Sequence, residues 1–415
     1  VLSENITSGN KTFYACDTGN DEWPGESKDK PFKTFDKALS QYRYLQAGDA
    51  VLFCRGGKFS VLNYSALFNV NATAESPITI GDYFAPNATG NEPRPVIENL
   101  ADGVFYFNTR KTDIPDGGIT IKNLVLKGGG KSRGIFLLNG VSDVKVHNVL
   151  IDGFRVGMSI GSGASPSSLV SLKDSIVRNN TEQGWMGGGD DLLIENNSFL
   201  NNGFGGTRLS YYYHNVYVSN NGSFPANNII IRGNVLYQSA MVDGRCGGAS
   251  LVVHGEINQL LIENNLLKED IGAVSQYCYG IGVGPAYSTA EAFHDVTIRN
   301  NKLLNLGRIG ISGGSLVNAL IENNYIFDAD GVLDEGIKVP EEGNSDDAMS
   351  ENVTISRNII IGNNEYLKGI SIGGSFPFIV EDNVISMGGE SIKRVCINKF
   401  DANIDTDTSK NTCNY

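Results

Sequence analysis

The sequence predicts an all-β fold, a single-stranded parallel β-solenoid with an N-terminal helical cap. Three observations predict it: a recurring strand phrase that closes on asparagine, a second glycine-led strand before most copies of that phrase, and the near absence of helical periodicity. The phrase reads "ITIKNLVL" at 119, "DVKVHNVL" at 143, "DLLIENNSF" at 191, "NIIIRGNVL" at 228, "QLLIENNLL" at 259, "DVTIRNNKL" at 295, "NALIENNYI" at 318 and "NVTISRNII" at 352, with a worn copy, "FIVEDNVI", at 378. Its aligned asparagines, Asn197, Asn234, Asn265, Asn301, Asn324, Asn358 and Asn383, recur 23 to 37 residues apart. Each unit is too small to bury its own apolar face, whereas stacked copies bury it together. With turns about 4.8 Å apart, an asparagine at the same corner of each turn can hydrogen-bond the next one and satisfy the bent backbone.

The second strand appears as "GIFLL" (134), "GMSIG" (157), "GWMGG" (184), "GIGVG" (280), "GISGG" (310), "GIKVP" (336) and "GISIG" (369). In a Gly-Ile-x-Ile strand the aliphatics point inward and the residue between them points out. Ser159, Gly282, Ser312, Lys338 and Ser371 therefore form a shallow outer trough. The one helical segment, "PFKTFDKALSQY" over 31–42, carries Phe32, Phe35, Ala38 and Leu39 on one face and is expected to cap the open end of the solenoid. Residues 1–60 are read as cap and first strands, 61–395 as the β-helix and 396–415 as a C-terminal tail, one structural domain overall.

Composition agrees with this reading. The 415 residues are 40% hydrophobic and 19% charged with 50 glycines, which excludes a disordered chain or a coiled coil. A net charge of -13 argues against nucleic acid or an anionic membrane as partner, yet leaves room for an acidic substrate held in a local basic cleft. No apolar run reaches the roughly 18 residues of a membrane helix. Six cysteines fall in three local pairs, Cys16 with Cys54, Cys246 with Cys278 and Cys396 with Cys413, without zinc-like spacing. Three disulfides and an extracellular, secreted protein are expected. The start at Val1 suggests a removed signal peptide or tag. Nine Asn-x-Ser/Thr sequons, including Asn5, Asn63, Asn71 and Asn87, make it a candidate glycoprotein.

The N-terminal stretches "FYACDTGNDEWPGESKDKPFKTFDKAL", "LQAGDAVLFCRGGKF" and "SPITIGDYFAPNATGNEPRPVI" resemble the opening of secreted right-handed parallel β-helix proteins of the pectate-lyase-like superfamily. Alginate lyases, other polysaccharide lyases, mannuronan C5-epimerases and some glycoside hydrolases belong there. The resemblance covers roughly residues 13 to 98, and the repeats extend it to about 390. It implies a right-handed β-helix closest in appearance to polysaccharide lyases such as alginate lyases, and leaves the reaction open.

Two turns place larger polar groups in the trough. Aligning "TRLSYYYHN" (207–215) with "GASLVVHGE" (248–256) points Arg208, Ser210, Tyr212 and His214 outward, sends Tyr211 and Tyr213 into the core, and stands His214 beside His254. His147 and His294 read as ordinary surface histidines. Such a cluster suits β-elimination on a uronate polymer, which requires a base for the C5 proton, an acid for the departing O4, and a counter to the sugar carboxylate. His214 or His254 is assigned as base or neutraliser, Tyr212 as acid or shared acid/base, and Arg208 and Arg245 as carboxylate binders. Lys338 is a rival base, weakened by Glu335, Glu341 and Glu342 beside it, and is otherwise a substrate contact. Tyr277, Tyr279 and Tyr287 would stack sugar rings.

The expected function is thus a secreted lyase acting on an acidic polysaccharide, alginate first, as a monomer. No cofactor is required by these residues, although Ca²⁺ would serve as a carboxylate counter-ion. The Asp-Pro-His signature of the C5-epimerases is missing, as is an obvious calcium cluster of the pectate-lyase kind. Two other readings compete. A glycoside hydrolase would draw an acid/base pair from Asp190, Asp243 and Glu256, with Asp191 read as a turn residue like Asp143 and Asp295. A non-catalytic carbohydrate-binding β-helix or adhesin would use the same aromatics without turnover.

Overall fold

The computed structural model describes residues 10–109, 116–161, 163, 165–204, 212–220, 224–340, 346–389, 392–400 and 405–415. Within them the chain winds through three long parallel sheets of 13, 13 and 11 strands. The first runs from Thr12–Ala15 to Ile379–Glu381, the second from Lys58–Ser60 to Thr412–Asn414, and the third from Phe105–Asn108 to Val395–Lys399. The asparagine phrases form the first two sheets and the glycine-led strands the third.

One phrase shows why each turn bends where it does. In "DLLIENNSF", Leu192 and Ile194 point into the core and are buried. Leu192 stacks in register with Ile229, Leu260, Val296, Ala319 and Val353 of the following turns. Burial of each large aliphatic contributes about 1.5–3 kcal/mol. The doublet Asn196-Asn197 divides the corner between two tasks. Asn196 takes the left-handed conformation (φ 56°), which asparagine tolerates better than most side chains. Asn197 is buried, and its Nδ2 donates to Asn234 Oδ1 at 3.1 Å. The bond repeats through Asn265, Asn301, Asn324, Asn358, Asn383 and Asn411 at 2.8–3.0 Å. The asparagine column is therefore the internal ladder the repeat implied. Asp143, Asp191 and Asp295 likewise share one turn position, with φ of 54°, 51° and 53°.

The N-terminal helix is shorter than its periodicity suggested, covering Phe35–Leu39. Phe32 pairs as an isolated bridge with Ala15, and Thr34 ends the extended stretch as N-cap, its Oγ1 accepting from the Lys37 N–H at 3.2 Å. Phe35, Ala38 and Leu39 are buried as expected, Phe35 stacking on Phe53 with ring centroids 5.6 Å apart. All three expected disulfides are formed. Of the residues read as a C-terminal tail, those within Val395–Lys399 pair onto the third sheet, and Thr412–Asn414 pairs onto the second. Among the described residues no helix is long and apolar enough to cross a membrane.

A buried acid sets one stability prediction. Glu269 is 3% exposed; Oε1 accepts the Ser239 N–H at 2.9 Å, and Oε2 has no hydrogen-bond partner among the described residues. Burial, reinforced by neighbouring Asp270, pushes its carboxyl up to about 8 from an ordinary 4.5. Between those values the folded chain keeps a proton that the unfolded chain has released, so stability falls as pH rises through the window. Glu269→Gln keeps the acceptor for Ser239 without a charge to bury. Its thermal midpoint should exceed wild type above pH 8 and fall less steeply from pH 5 upward; parallel melting curves across that range would refute the assignment. Asp116, which burial raises to about 7, adds a slope of the same sign that the variant keeps.

Candidate active site

The third sheet carries one outward column across its strands: Tyr106, Phe136, Ser159, Met186, Tyr217, Val252, Gly282, Ser312, Lys338 and Ser371 lie in successive register. The five trough positions read from the sequence all belong to it. Gly282 leaves the floor open, since a Cβ there would meet nothing within 4 Å. Ser159 and Ser371 are nonetheless buried.

The register around the tyrosine run differs from the alignment. The strand is Val216–Ser219, which pairs Tyr217 with Val252 and Ser219 with His254. His214 precedes it and is buried (6% exposed) rather than standing in the His254 column. Asn215 explains the shift. It is a buried corner residue whose Oδ1 accepts from Asn202 Nδ2 at 2.8 Å, so the strand can begin only after it. Tyr213 is half-buried, Tyr212 is 58% exposed, and Tyr211, Ser210 and Arg208 lie outside the described residues.

The two histidines still meet, through Tyr217. Its ring stacks on His214 at 5.4 Å and meets His254 edge-on at 5.6 Å, and His254 in turn meets Tyr287 at 6.3 Å. The Tyr217 hydroxyl hydrogen-bonds Tyr287 Oη at 2.8 Å, and Ser219 Oγ also bonds Tyr287 Oη. Both histidines hold a backbone carbonyl at Nδ1, His214 that of Ala249 at 2.9 Å and His254 that of Gly284 at 2.5 Å. A carbonyl only accepts, so Nδ1 carries the proton in each neutral ring and Nε2 keeps its lone pair.

Protonation follows from burial. Desolvation drives His214 down to about 4, opposed by the Ala249 carbonyl and assisted by His254. It also lowers His254, against the opposing pull of the Gly284 carbonyl and Glu291. Tyr217 moves the other way, raised by burial and by its bond to Tyr287. Near neutral pH the cluster holds neutral imidazoles beside a protonated phenol, a base and an acid on one sheet face. Glu291 organises the loop opposite. Buried itself, it accepts the N–H groups of Gly255, Ala286 and Tyr287 at 2.6, 2.8 and 2.5 Å, tying the Tyr287 loop to the turn after His254.

The other sequence candidates scatter. Arg245 is exposed on an antiparallel hairpin, Met241–Val242 with Arg245–Cys246, which the Cys246–Cys278 disulfide pins ahead of the His254 strand. Asp243 and Gly244 are the hairpin turn, with φ of 50° and 77°. Tyr277 is exposed; Tyr279 Oη accepts from Arg308 at 3.2 Å. Lys338 stands three strands beyond His254, about 14 Å at the usual spacing, and pairs with Glu335 at 3.4 Å. Glu341 and Glu342 lie outside the described residues. Asp190 sits on the first sheet and accepts both N–H and Nδ2 of Asn227, at 2.9 and 2.7 Å. Glu256 is exposed in the turn after His254.

Nothing in the sequence had singled out Tyr217, Ser219, Glu291 or Arg133, and only the strand "VYVS" held a signal for the first two. Tyr217 and Ser219 line a cavity of about 130 Å³ together with Arg133, Phe136, Ser159 and Met186. Among the described residues, the groups of potential metal ligands within reach of one another are Cys16–Asp17–Cys54 and Cys246–Glu269–Cys278. The cysteine sulfurs of both are committed to disulfides.

The fold can be set against solved structures. A GH136 lacto-N-biosidase from Eubacterium ramulus superposes over 97% of this chain and 68% of its own, with a TM-score of 0.56 and 15% identity. The chain has the parallel β-helix fold. The Dettilon tailspike protein gives a TM-score of 0.54 at 12% identity over 88% of this chain and 63% of its own. The catalytic domain of a GH87 α-1,3-glucanase gives 0.52 at 14% identity over 91% and 67%. These likenesses agree with the β-helix superfamily that the N-terminal phrases resemble, and at such identities they concern fold alone. No protein-family model matches the chain, and no curated protein matches it by sequence.

Proposed function

We propose that the protein is a secreted carbohydrate-active β-helix that cleaves an acidic, uronate-containing polysaccharide by β-elimination. The observation that carries this reading is the His254–Tyr217 pair. It combines a neutral imidazole with Nε2 unprotonated and a phenol held in its protonated form. His254 takes the C5 proton; Tyr217, in contact with Tyr287 and Ser219, protonates the departing O4. His214 buttresses the Tyr217 ring from the other side. The disulfides and the sugar-active β-helices of similar fold, the lacto-N-biosidase and the α-1,3-glucanase, support an extracellular enzyme acting on polysaccharide.

The stereochemistry favours a substrate. A base and an acid on one face of one sheet approach the sugar from the same side, which suits uronates whose O4 is equatorial, such as mannuronate. Galacturonate and guluronate, with O4 axial, demand removal from opposite sides. Alginate rich in mannuronate is therefore the substrate of choice.

Incubation with polymannuronate, polyguluronate and polygalacturonate, with and without EDTA, should produce ultraviolet absorbance of the C4–C5 double bond on polymannuronate first. New reducing ends without that absorbance would replace the lyase reading with hydrolysis. Neither signal on any uronate polymer would leave a binding scaffold.

A further inference from the structure

The groove continues on the N-terminal side of Tyr217 into a feature the lyase chemistry does not use. Phe136 and Tyr106, neighbours in the outward column, stack with centroids 5.2 Å apart and planes 12° from parallel. Asn108 Nδ2 donates to the Tyr106 hydroxyl at 2.8 Å and fixes that ring. The Arg133 guanidinium lies over Phe136, 4.4 Å from its centroid. Among the described residues Arg133 has no carboxylate within ion-pair distance, and its Nε is buried without a hydrogen-bond partner. In a chain of net charge -13, a half-buried cation whose neighbouring carboxylate, Glu182, is already paired with Arg155 at 3.0 Å is a site that can take an anion.

The space beside it is sized for one. Arg133 and Phe136 form one side of the cavity of about 130 Å³ whose other side is Tyr217 and Ser219. At about 30 Å³ of liquid volume per water this is roughly four waters, enough for a carboxylate and the adjoining ring edge but not for a sugar chain. Gly161, at the cavity edge, lets Phe136 and Leu138 pack close, since a Cβ there would lie 2.8 Å from Leu138 Cδ1 and 3.2 Å from Phe136 Cε2. Planar Phe136 and Tyr106 beyond it offer flat apolar faces to pyranose rings.

We propose that Arg133 is a substrate-binding residue that takes a sugar carboxylate beside the cleavage point, with Phe136 and Tyr106 as the stacking platform for the sugars that follow. The inference rests on the uronate reading and deepens it: recognition requires an acidic sugar on the Arg133 side of the scissile bond. Lys338, far along the other side, does not replace it.

The test is calorimetric, in a His254→Gln background that holds substrate without turning it over. Oligomannuronate, oligoguluronate and oligogalacturonate are titrated, each beside its carboxyl-reduced, neutral counterpart. Arg133→Gln should weaken the acidic oligomer about 10- to 100-fold, the range of a charge-assisted bidentate contact, and leave the neutral one unchanged. Phe136→Ala should weaken both, the acidic one at least as much as the neutral one because Arg133 rests on that ring. Arg133→Lys, which keeps the charge and loses the fork, should fall between, and guards against a folding defect. Equal losses for acidic and neutral oligomers, unchanged affinity in Arg133→Gln, or no binding of any of the three uronates would overturn the proposal. Turnover by the unsubstituted protein is read separately. A charge-dependent contrast without cleavage condemns the lyase reading alone, and cleavage without the contrast condemns the Arg133 subsite alone.

Discussion

His254→Ala is expected to lower turnover of the cleaved uronate by about two to four orders of magnitude, the usual contribution of a positioned general base, with folding intact. The argument is geometric first. His254 is the histidine of the cluster that reaches the groove face, at the end of the strand Ala249–His254, while its Nδ1 is held by the Gly284 carbonyl so that Nε2 alone can act. Its lowered pKa then fixes the pH behaviour. A base must be unprotonated, so kcat/KM should climb with pH and level off below the ordinary histidine value of 6.5. The variant should lose that acid limb as well as the rate. His214→Ala should behave differently, since His214 is buried and packed on Tyr217: its main cost is stability, from a cavity and the loss of one donor to the Ala249 carbonyl, which keeps Ser239 Oγ at 3.1 Å. Near-wild-type turnover in folded His254→Ala would move the active site elsewhere on the helix.

The fold was legible because its periodicity is written in residues with one physical use each. The asparagine after each phrase must satisfy a bent backbone, and the Gly-Ile-x-Ile strands have only one way to face a core. The site was half legible for the same reason in reverse. "SYYYHNVYVS" alternates on both sides of Asn215, and a period of two has no origin. Only the corner role of Asn215 shows that the strand begins at Val216, which sets Ser219 rather than His214 beside His254 and brings Tyr217 into the outward column. Arg133 and Glu291 were invisible for a different reason. Each reaches the cluster through the stacking of turns, Arg133 across the strands ending at Gly161 and Met186, and Glu291 from a loop of the following turn. Asp190 looked like a catalytic carboxylate because nothing in sequence pairs it with Asn227, 37 positions away.

The largest stability effect is expected within an asparagine doublet, because its two members do different work. Asn301 is buried; its Nδ2 donates to Ile262 O at 2.9 Å and to Asn324 Oδ1 at 3.0 Å, and its Oδ1 accepts both N–H and Nδ2 of Asn265 at 3.0 Å. Asn301→Ala would leave Ile262 O without this donor and both Asn265 donors without this acceptor. At about 1–3 kcal/mol for each orphaned group, the loss should reach about 3–5 kcal/mol, enough to shift the urea midpoint markedly. Asn301→Asp keeps the acceptor but sets a buried carboxylate against the two oxygens Asn301 donates to, so it should fare no better and should worsen as pH rises. Asn300, one residue earlier, is exposed and needed only for its φ of 55°. Asn300→Gly should be neutral within a few tenths of a kcal/mol, because glycine adopts that φ without penalty but leaves a freer unfolded chain. Equal losses at 300 and 301 would mean that the ladder bonds contribute nothing, and the asparagine column would then need another explanation than the one its hydrogen bonds supply.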